Sequence, residues 1–195
     1  MSFLFIHKIF FETFPSCIEP SLDKLCKVTF NSSVNHYSVE VTDKLYIDNR
    51  CGQWCKLPYP NHPDGCPNYG QRNYCPPYAP LVSDFFDFSK QYWFLITEFD
   101  LAAHVDAFRI KQPSWSERRL KCVLYWQNKV RSIQRQQIIE FRLAHPNTVF
   151  TQLPEAMNTN VLRTLQSLRI NFETKPEKKV LKVALLGYMN PSFIA

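Results

Sequence analysis

The segment from residue 51 to residue 80, CGQWCKLPYPNHPDGCPNYGQRNYCPPYAP, constrains the fold of this chain more than any other part of its sequence. It contains seven of the fourteen prolines, three of the four glycines and four of the seven cysteines. Proline fixes φ and lacks a backbone N–H, so this density of proline excludes a helix or an inner strand. A coil of this length is uncommon inside a compact domain. We therefore expect a bound metal to replace the missing core.

The four cysteines of this segment are the predicted metal ligands: Cys51, Cys55, Cys66 and Cys75. Three, ten and eight residues separate them in turn. Four thiolates are the complete ligand set of one tetrahedral zinc or one iron–sulfur cluster. Zinc sites usually pair their ligands closely, whereas Cys66 and Cys75 are far apart and each precedes a proline, as at the end of the bacterial ferredoxin cysteine run. The sequence thus favours an iron–sulfur cluster, with zinc as the alternative.

Other ligand sets are less favoured than these four cysteines. His62 can replace one cysteine, but a loop histidine outside any site is the favoured interpretation. The four thiols can also be unrelated buried cysteines, although such residues belong in strands and helices rather than in a proline-rich loop. A C-x3-C-x2-C cluster motif is excluded because Pro58 occupies its third position. Aromatic side chains within the segment are expected to shield the centre: Trp54, Tyr59, Tyr69, Tyr74 and Tyr78.

The three remaining cysteines, Cys17, Cys26 and Cys122, are interpreted as ordinary buried thiols, with Cys122 as the reserve ligand on a long helix. That helix is predicted from residue 117 to about residue 144, because the segment lacks Gly and Pro and Ser114 and Glu117 have the spacing of a capping box. Pro146 ends it.

Strands and further helices alternate along the rest of the chain. Strands are predicted at residues 28–30, 36–41, 92–97, 148–151 and 180–186, and helices at residues 101–110 and 160–168. This order predicts an α/β or α+β fold in which a mixed sheet has flanking helices and the cysteine loop packs on one edge. The length of 195 residues suits a single domain spanning residues 1–195.

Composition limits the partners and the compartment. No run of eighteen apolar residues occurs, and the apolar start lacks the pattern of a signal peptide, so we expect a cytoplasmic protein with no membrane contact. A reducing cytosol favours metal binding by cysteine over disulfides. The net charge of +6 permits nucleic acid as a partner without requiring it.

The predicted long helix is the strongest candidate for such a partner, because it is rich in basic residues with Trp115, Tyr125 and Trp126 nearby. Its basic residues are Arg118, Arg119, Lys121, Lys129, Arg131, Arg135 and Arg142. Phosphate contacts and stacking would then combine on one face. The favoured interpretation is a solvated basic face with its aromatic residues turned to the core.

The stretch CPNYGQRNYCPP resembles an uncharacterised prokaryotic and viral family described as predicted metal-binding proteins, which carries a C-P-x-[FY]-G…C-P-P pattern. The stretch VLYWQN at residues 123–128 and the stretch PEAMNTNV at residues 154–161 are also similar, and the latter resembles an E-A-x-G-x-x-V segment that opens a helix. The resemblance implies ligation by the same four cysteines and marks Glu155 as a site residue near them. Asn158 stands where that family has glycine, and asparagine tolerates a left-handed backbone.

Taken together, these features predict a metal-binding protein with an iron–sulfur cluster, acting with a redox partner in electron transfer or in a cluster-dependent redox reaction. The alternative is a zinc-stapled module that binds nucleic acid or protein. Whether the chain is an enzyme, and its oligomeric state, are not specified by these features.

Overall fold

A computed structural model describes residues 34–58 and 62–193 of the chain. Four strands form one sheet in the order β1-β2-β4-β3, and every pairing within it is antiparallel. The strands are β1 (Val34–Glu40), β2 (Trp93–Asp100), β3 (Thr148–Thr151) and β4 (Lys179–Tyr188). The helices and sheet confirm the predicted mixed α and β class, and the pairing makes the described sheet antiparallel rather than mixed.

The helices lie between and after the strands. The α-helices are α1 (Val82–Phe85), α2 (Leu101–Lys111), α3 (Glu117–Leu120), α4 (Gln127–Ala144) and α5 (Val161–Ser167). Four 3-10 helices complete the described structure: Cys51–Lys56, Val123–Tyr125, Pro154–Met157 and Pro191–Phe193. None of the described helices combines the length and apolar character of a membrane span.

The sheet is covered on both faces, which explains why β2 is buried along most of its length. Side chains alternate between the two faces of a strand. On one face, Trp93 and Leu95 pack with Ile138 and Phe141 of α4. On the other face, core side chains of the sheet pack with α1, α5 and the 3-10 helix Pro154–Met157: Phe94, Ile96, Val183 and Leu185 from the sheet, and Val82, Phe85, Met157, Val161 and Leu165 from the helices.

Most predicted elements are confirmed, with ends that move by up to three residues. The strands predicted at 36–41, 92–97, 148–151 and 180–186 and the helices predicted at 101–110 and 160–168 correspond to β1, β2, β3, β4, α2 and α5. The strand predicted at 28–30 lies outside the described residues. The α2 helix begins where the Asp100 carboxylate accepts a hydrogen bond of 2.8 Å from the Ala103 N–H.

The predicted helix from residue 117 to residue 144 is wrong in its continuity. It is divided into α3, a 3-10 turn and α4, and Cys122 has extended backbone angles in the break. The cap is Ser116, which accepts from the Arg119 N–H, and not Ser114. The break has a tertiary cause, because the Trp126 ring stacks on Phe99 of β2 at 5.1 Å between ring centroids. Burial of that ring outweighs the helix preference of the local sequence.

Candidate metal centre

The first two cysteines lie on the 3-10 helix Cys51–Lys56, and a charged turn fixes its start. The Arg50 guanidinium pairs with the Asp48 carboxylate at 2.8 Å, and the Cys51 N–H donates to the Asp48 carbonyl at 2.9 Å. Cys51 is 1% exposed, whereas Cys55 is half-buried. The turn therefore places one thiol inside the protein and the next near its surface.

The third cysteine is held against the second by a direct backbone contact. The Cys66 N–H donates to the Cys55 carbonyl at 2.7 Å. Gly65, just before it, has a φ of +84°, and a Cβ built on Gly65 would lie 2.4 Å from the Cys55 carbonyl oxygen. Only glycine permits both the left-handed backbone and this close approach. The ten residues between Cys55 and Cys66 thus form a closed loop.

The fourth cysteine returns to the start of the loop. The Cys75 N–H donates to the Arg72 carbonyl at 2.9 Å, and the Gly70 N–H donates to the Pro76 carbonyl at 2.8 Å. Pro76 is buried against Gly52, where an added Cβ would lie 3.6 Å from the proline Cγ. Backbone contacts of this kind connect the turns that carry all four cysteines.

A second segment, Pro154–Met157 with Asn158, supports the first cysteine from outside the loop. Asn158 has a φ of 66° and a ψ of 24°, so the left-handed backbone expected at this position is confirmed. Its side-chain carbonyl accepts from the Gly52 N–H at 3.1 Å, and its backbone carbonyl accepts from the Asp48 N–H at 2.8 Å. The asparagine therefore keeps the turn and adds a bond to the cysteine-bearing helix that glycine lacks.

The electrostatic environment links the thiols to one another and to Glu155. Burial raises the pKa of Cys51 to about 11, and the charges of Asp48 and Glu155 act in the same direction. Burial also raises the pKa of Cys55 and of Cys75; Cys55 is further raised by Cys66 and Glu155, and Cys75 by Cys66 and Cys55. The last three thiols thus lie close enough for each charge to affect its neighbours.

Glu155 lies between the cysteine loop and the sheet. Its side chain is exposed, yet the protein atoms around its carboxyl raise its pKa, against smaller opposing effects of a backbone hydrogen bond and Lys182.

The thiols are not gathered into a finished ligand set. Within residues 34–58 and 62–193, no three His, Cys, Asp or Glu side chains form a group that could hold a metal ion. Ligation by all four sulfur atoms therefore requires their side chains to turn toward a common point. The donor chemistry fits a soft metal or a cluster, because thiolates are the preferred ligands of both.

The aromatic side chains predicted to shield the site are mostly exposed. The aromatic shield is not formed as predicted, because Trp54, Tyr74 and Tyr78 are exposed, and Tyr59 lies outside the described residues. The Tyr69 ring lies 5.0 Å from the Lys56 ammonium.

The remaining candidate ligands are His62, Cys122, Cys17 and Cys26. His62 lies in the loop, where its backbone carbonyl accepts from the Gly65 N–H at 3.2 Å. Cys122 is half-buried at the break between α3 and α4, not within a helix. Cys17 and Cys26 lie outside the described residues.

The predicted basic face is divided among several elements. The Arg119 guanidinium lies 4.3 Å from the Trp115 ring centroid, and Lys121 forms an ion pair with Glu177. Arg131 and Arg135 lie on α4, near Lys182 of β4. Lys182 was not predicted as a site residue, although a lysine in the apolar run VLKVALL was the signal that could have identified it.

No protein-family model, curated protein or solved structure matches this chain.

Proposed function

We propose that Cys51, Cys55, Cys66 and Cys75 hold one iron–sulfur cluster, and that the protein acts in electron transfer or in a cluster-dependent redox reaction. The observation that carries the proposal is the closure of the cysteine loop. The Cys66 N–H bonds to the Cys55 carbonyl, and Pro76 after Cys75 lies against Gly52 after Cys51. A loop closed in this way keeps sequence-distant cysteines in one region of the protein, from which their side chains can turn toward a shared ligand.

The donor set supports a cluster over a hard cation. Four thiols are available, and carboxylate or carbonyl ligands of the kind that Mg²⁺ or Ca²⁺ prefer do not accompany them as a group. Metal binding needs thiolates, and burial raises the pKa of Cys51, Cys55 and Cys75, which favours their protonated form in the metal-free loop. A cation or cluster would supply the positive charge that makes four neighbouring thiolates stable.

The surface around the loop suits a redox partner in a reducing cytosol. Trp54, Tyr74 and Tyr78 present exposed aromatic area beside the cysteines. Aromatic side chains are enriched in protein interfaces, where they supply contact area near a site. A cluster close to the surface can exchange electrons with a protein docked on these side chains.

The decisive test is metal and sulfide analysis of protein purified without oxygen. We expect a brown protein with iron and acid-labile sulfide, and loss of both in each Cys→Ser variant of the four. Cys122→Ser is the matched control, because that half-buried thiol lies outside the loop. A colourless protein with one zinc per chain would replace the cluster with the zinc-stapled module, and salt-dependent nucleic-acid binding would then be measured. Protein with no metal, folded equally well with chelator, would overturn the metal centre itself.

A further inference from the structure

A cluster of three cations lies on the face of the sheet that α4 covers. Gln134 of α4 is 0% exposed, and its side-chain Nε2 donates to the backbone carbonyl of Lys182 at 3.0 Å. Arg131 and Arg135 flank Gln134 along the same helix, with the i, i+4 spacing that places two side chains on one face. This hydrogen bond holds α4 over the strand position that carries Lys182, and the charges of both arginines act on the lysine.

These cations are not neutralised by the protein around them. Within the described residues, none of Arg131, Arg135 and Lys182 forms a salt bridge. Burial lowers the pKa of Lys182, and the charges of both arginines lower it further, while Glu155 acts against them. Three cations against one carboxylate leave an excess of two positive charges. Such an arrangement costs folding free energy, because like charges repel and a partly buried ammonium loses water.

The interface beneath the cluster also contains an unsatisfied donor. Gln137, one turn along α4 from Gln134, is 2% exposed, and its Oε1 accepts from the Thr97 hydroxyl at 2.6 Å. The Nε2 of Gln137 is buried without a hydrogen-bond partner in the described part of the chain. Thr97 is the direct cross-strand neighbour of Lys182. Buried polar groups of this kind are uncommon and call for an explanation.

We propose that Arg131, Arg135 and Lys182 form a binding site for a phosphate group of a small-molecule ligand, between α4 and β4. Guanidinium groups bind phosphate through paired N–H donors, and lysine adds a point charge. The dianion of phosphate matches the excess of two positive charges. Within the described residues, the charge of Glu155 acts on Lys182 in the direction opposite to the two arginines.

This site does not depend on which metal the cysteines bind. Its residues belong to α4 and β4, which have a core of their own in Ile138, Phe141, Ala184 and Leu186. Failure of the metal proposal and failure of the phosphate proposal are therefore separate results.

The test combines binding with stability. Inorganic phosphate is titrated into the protein by calorimetry at fixed ionic strength, with chloride as the reference anion. We expect Lys182→Met and Arg131→Gln each to weaken phosphate binding by about tenfold or more, because each removes a charge-assisted contact. Lys182→Met should at the same time raise the thermal midpoint of the phosphate-free protein, since it removes an unpaired, partly buried charge.

Two variants serve as matched controls. Lys179→Met removes a lysine of the same strand that is already paired with Glu98 at 3.0 Å, and Lys129→Gln removes an exposed lysine of the same helix. Both should leave phosphate binding unchanged. Equal weakening by the controls, or no difference between phosphate and chloride, would overturn the site. Tighter binding of a DNA duplex that depends on Lys129 as much as on Arg131 would also overturn it in favour of a nucleic-acid surface.

Discussion

Replacing Asn158 by alanine removes two different contributions to stability at once. The first is side-chain hydrogen bonding: the side chain accepts from the Gly52 N–H at 3.1 Å, and its Nδ2 donates a longer bond of 3.4 Å to the Asn49 side chain. A bond of this kind contributes about 1 kcal/mol. The second is tolerance of the left-handed backbone, with φ at 66°, where alanine costs about 1 kcal/mol. We therefore expect Asn158→Ala to lower the free energy of unfolding by about 2 kcal/mol, which corresponds to a fall of about 4–8 °C in Tm for a chain of this size.

Asn158→Gly separates the two contributions. Glycine adopts the left-handed backbone freely but has no side-chain acceptor, so the loss should be about 1 kcal/mol. Asn158→Asp keeps an acceptor and should lose least of the three. Denaturant unfolding of the metal-free protein measures all three, since a bound metal would add its own stabilisation.

Asn147 provides the matched control. Its φ is 65°, and none of the hydrogen bonds in the described residues involves its side chain. Asn147→Ala should therefore cost only the backbone contribution, about 1 kcal/mol. If Asn158→Ala costs no more than Asn147→Ala, or if Asn158→Gly is as stable as the original protein, the bond to Gly52 does not stabilise the cysteine-bearing helix and the reasoning is refuted.

Two further predictions concern the loop itself. Gly65→Ala should abolish metal uptake, because the added Cβ would lie 2.4 Å from the Cys55 carbonyl oxygen. Gly70→Ala, at a φ of +67°, meets nothing within 4 Å and should keep the metal. Equal metal content in both variants would contradict the close approach at Gly65. In the metal-free protein Cys51 should be alkylated more slowly than Cys55 or Cys75, because it is buried and its pKa is raised to about 11. Its rate should increase about tenfold per pH unit up to that pKa as the thiolate forms. If the assignment is wrong, mass spectrometry of iodoacetamide-treated protein at several pH values would show the rate level off near the ordinary thiol pKa of 9.0.

The elements predicted correctly are those whose signal is local. The runs WFLITEFD and KVLKVALLGY are apolar enough to predict buried strands without knowledge of their partners, and they pair as β2 and β4. The left-handed turn at Asn158 was also predictable, because a glycine was expected there and asparagine is the best substitute. In each case the residues that decide the structure lie within a few positions of one another.

The elements predicted wrongly are those decided by distant contacts. Nothing local breaks the helix after residue 120, whereas the packing of Trp126 on Phe99 of β2 does. The exposure of Trp54 and Tyr78 has the same origin, because shielding depends on what packs above the loop and not on its composition. The proximity of Lys182 to Arg131 depends on the hydrogen bond from Gln134 to the Lys182 carbonyl, which joins residues 48 positions apart. Local spacing in the sequence therefore does not predict it.

The 3-10 helix that carries Glu155 contacts both the 3-10 helix Cys51–Lys56 and β4, so it lies against elements of both proposed sites. Pro154–Met157 and Asn158 hold the first cysteine helix through Gly52, and the carboxyl affects both the thiols and Lys182. Arg131, Arg135 and Lys182 belong to a helix and a strand that share a hydrophobic core, whereas the cysteine loop has few buried apolar side chains. Loss of metal should therefore loosen the loop first and leave the cation cluster in place. Phosphate binding should therefore be retained in protein from which the metal has been removed.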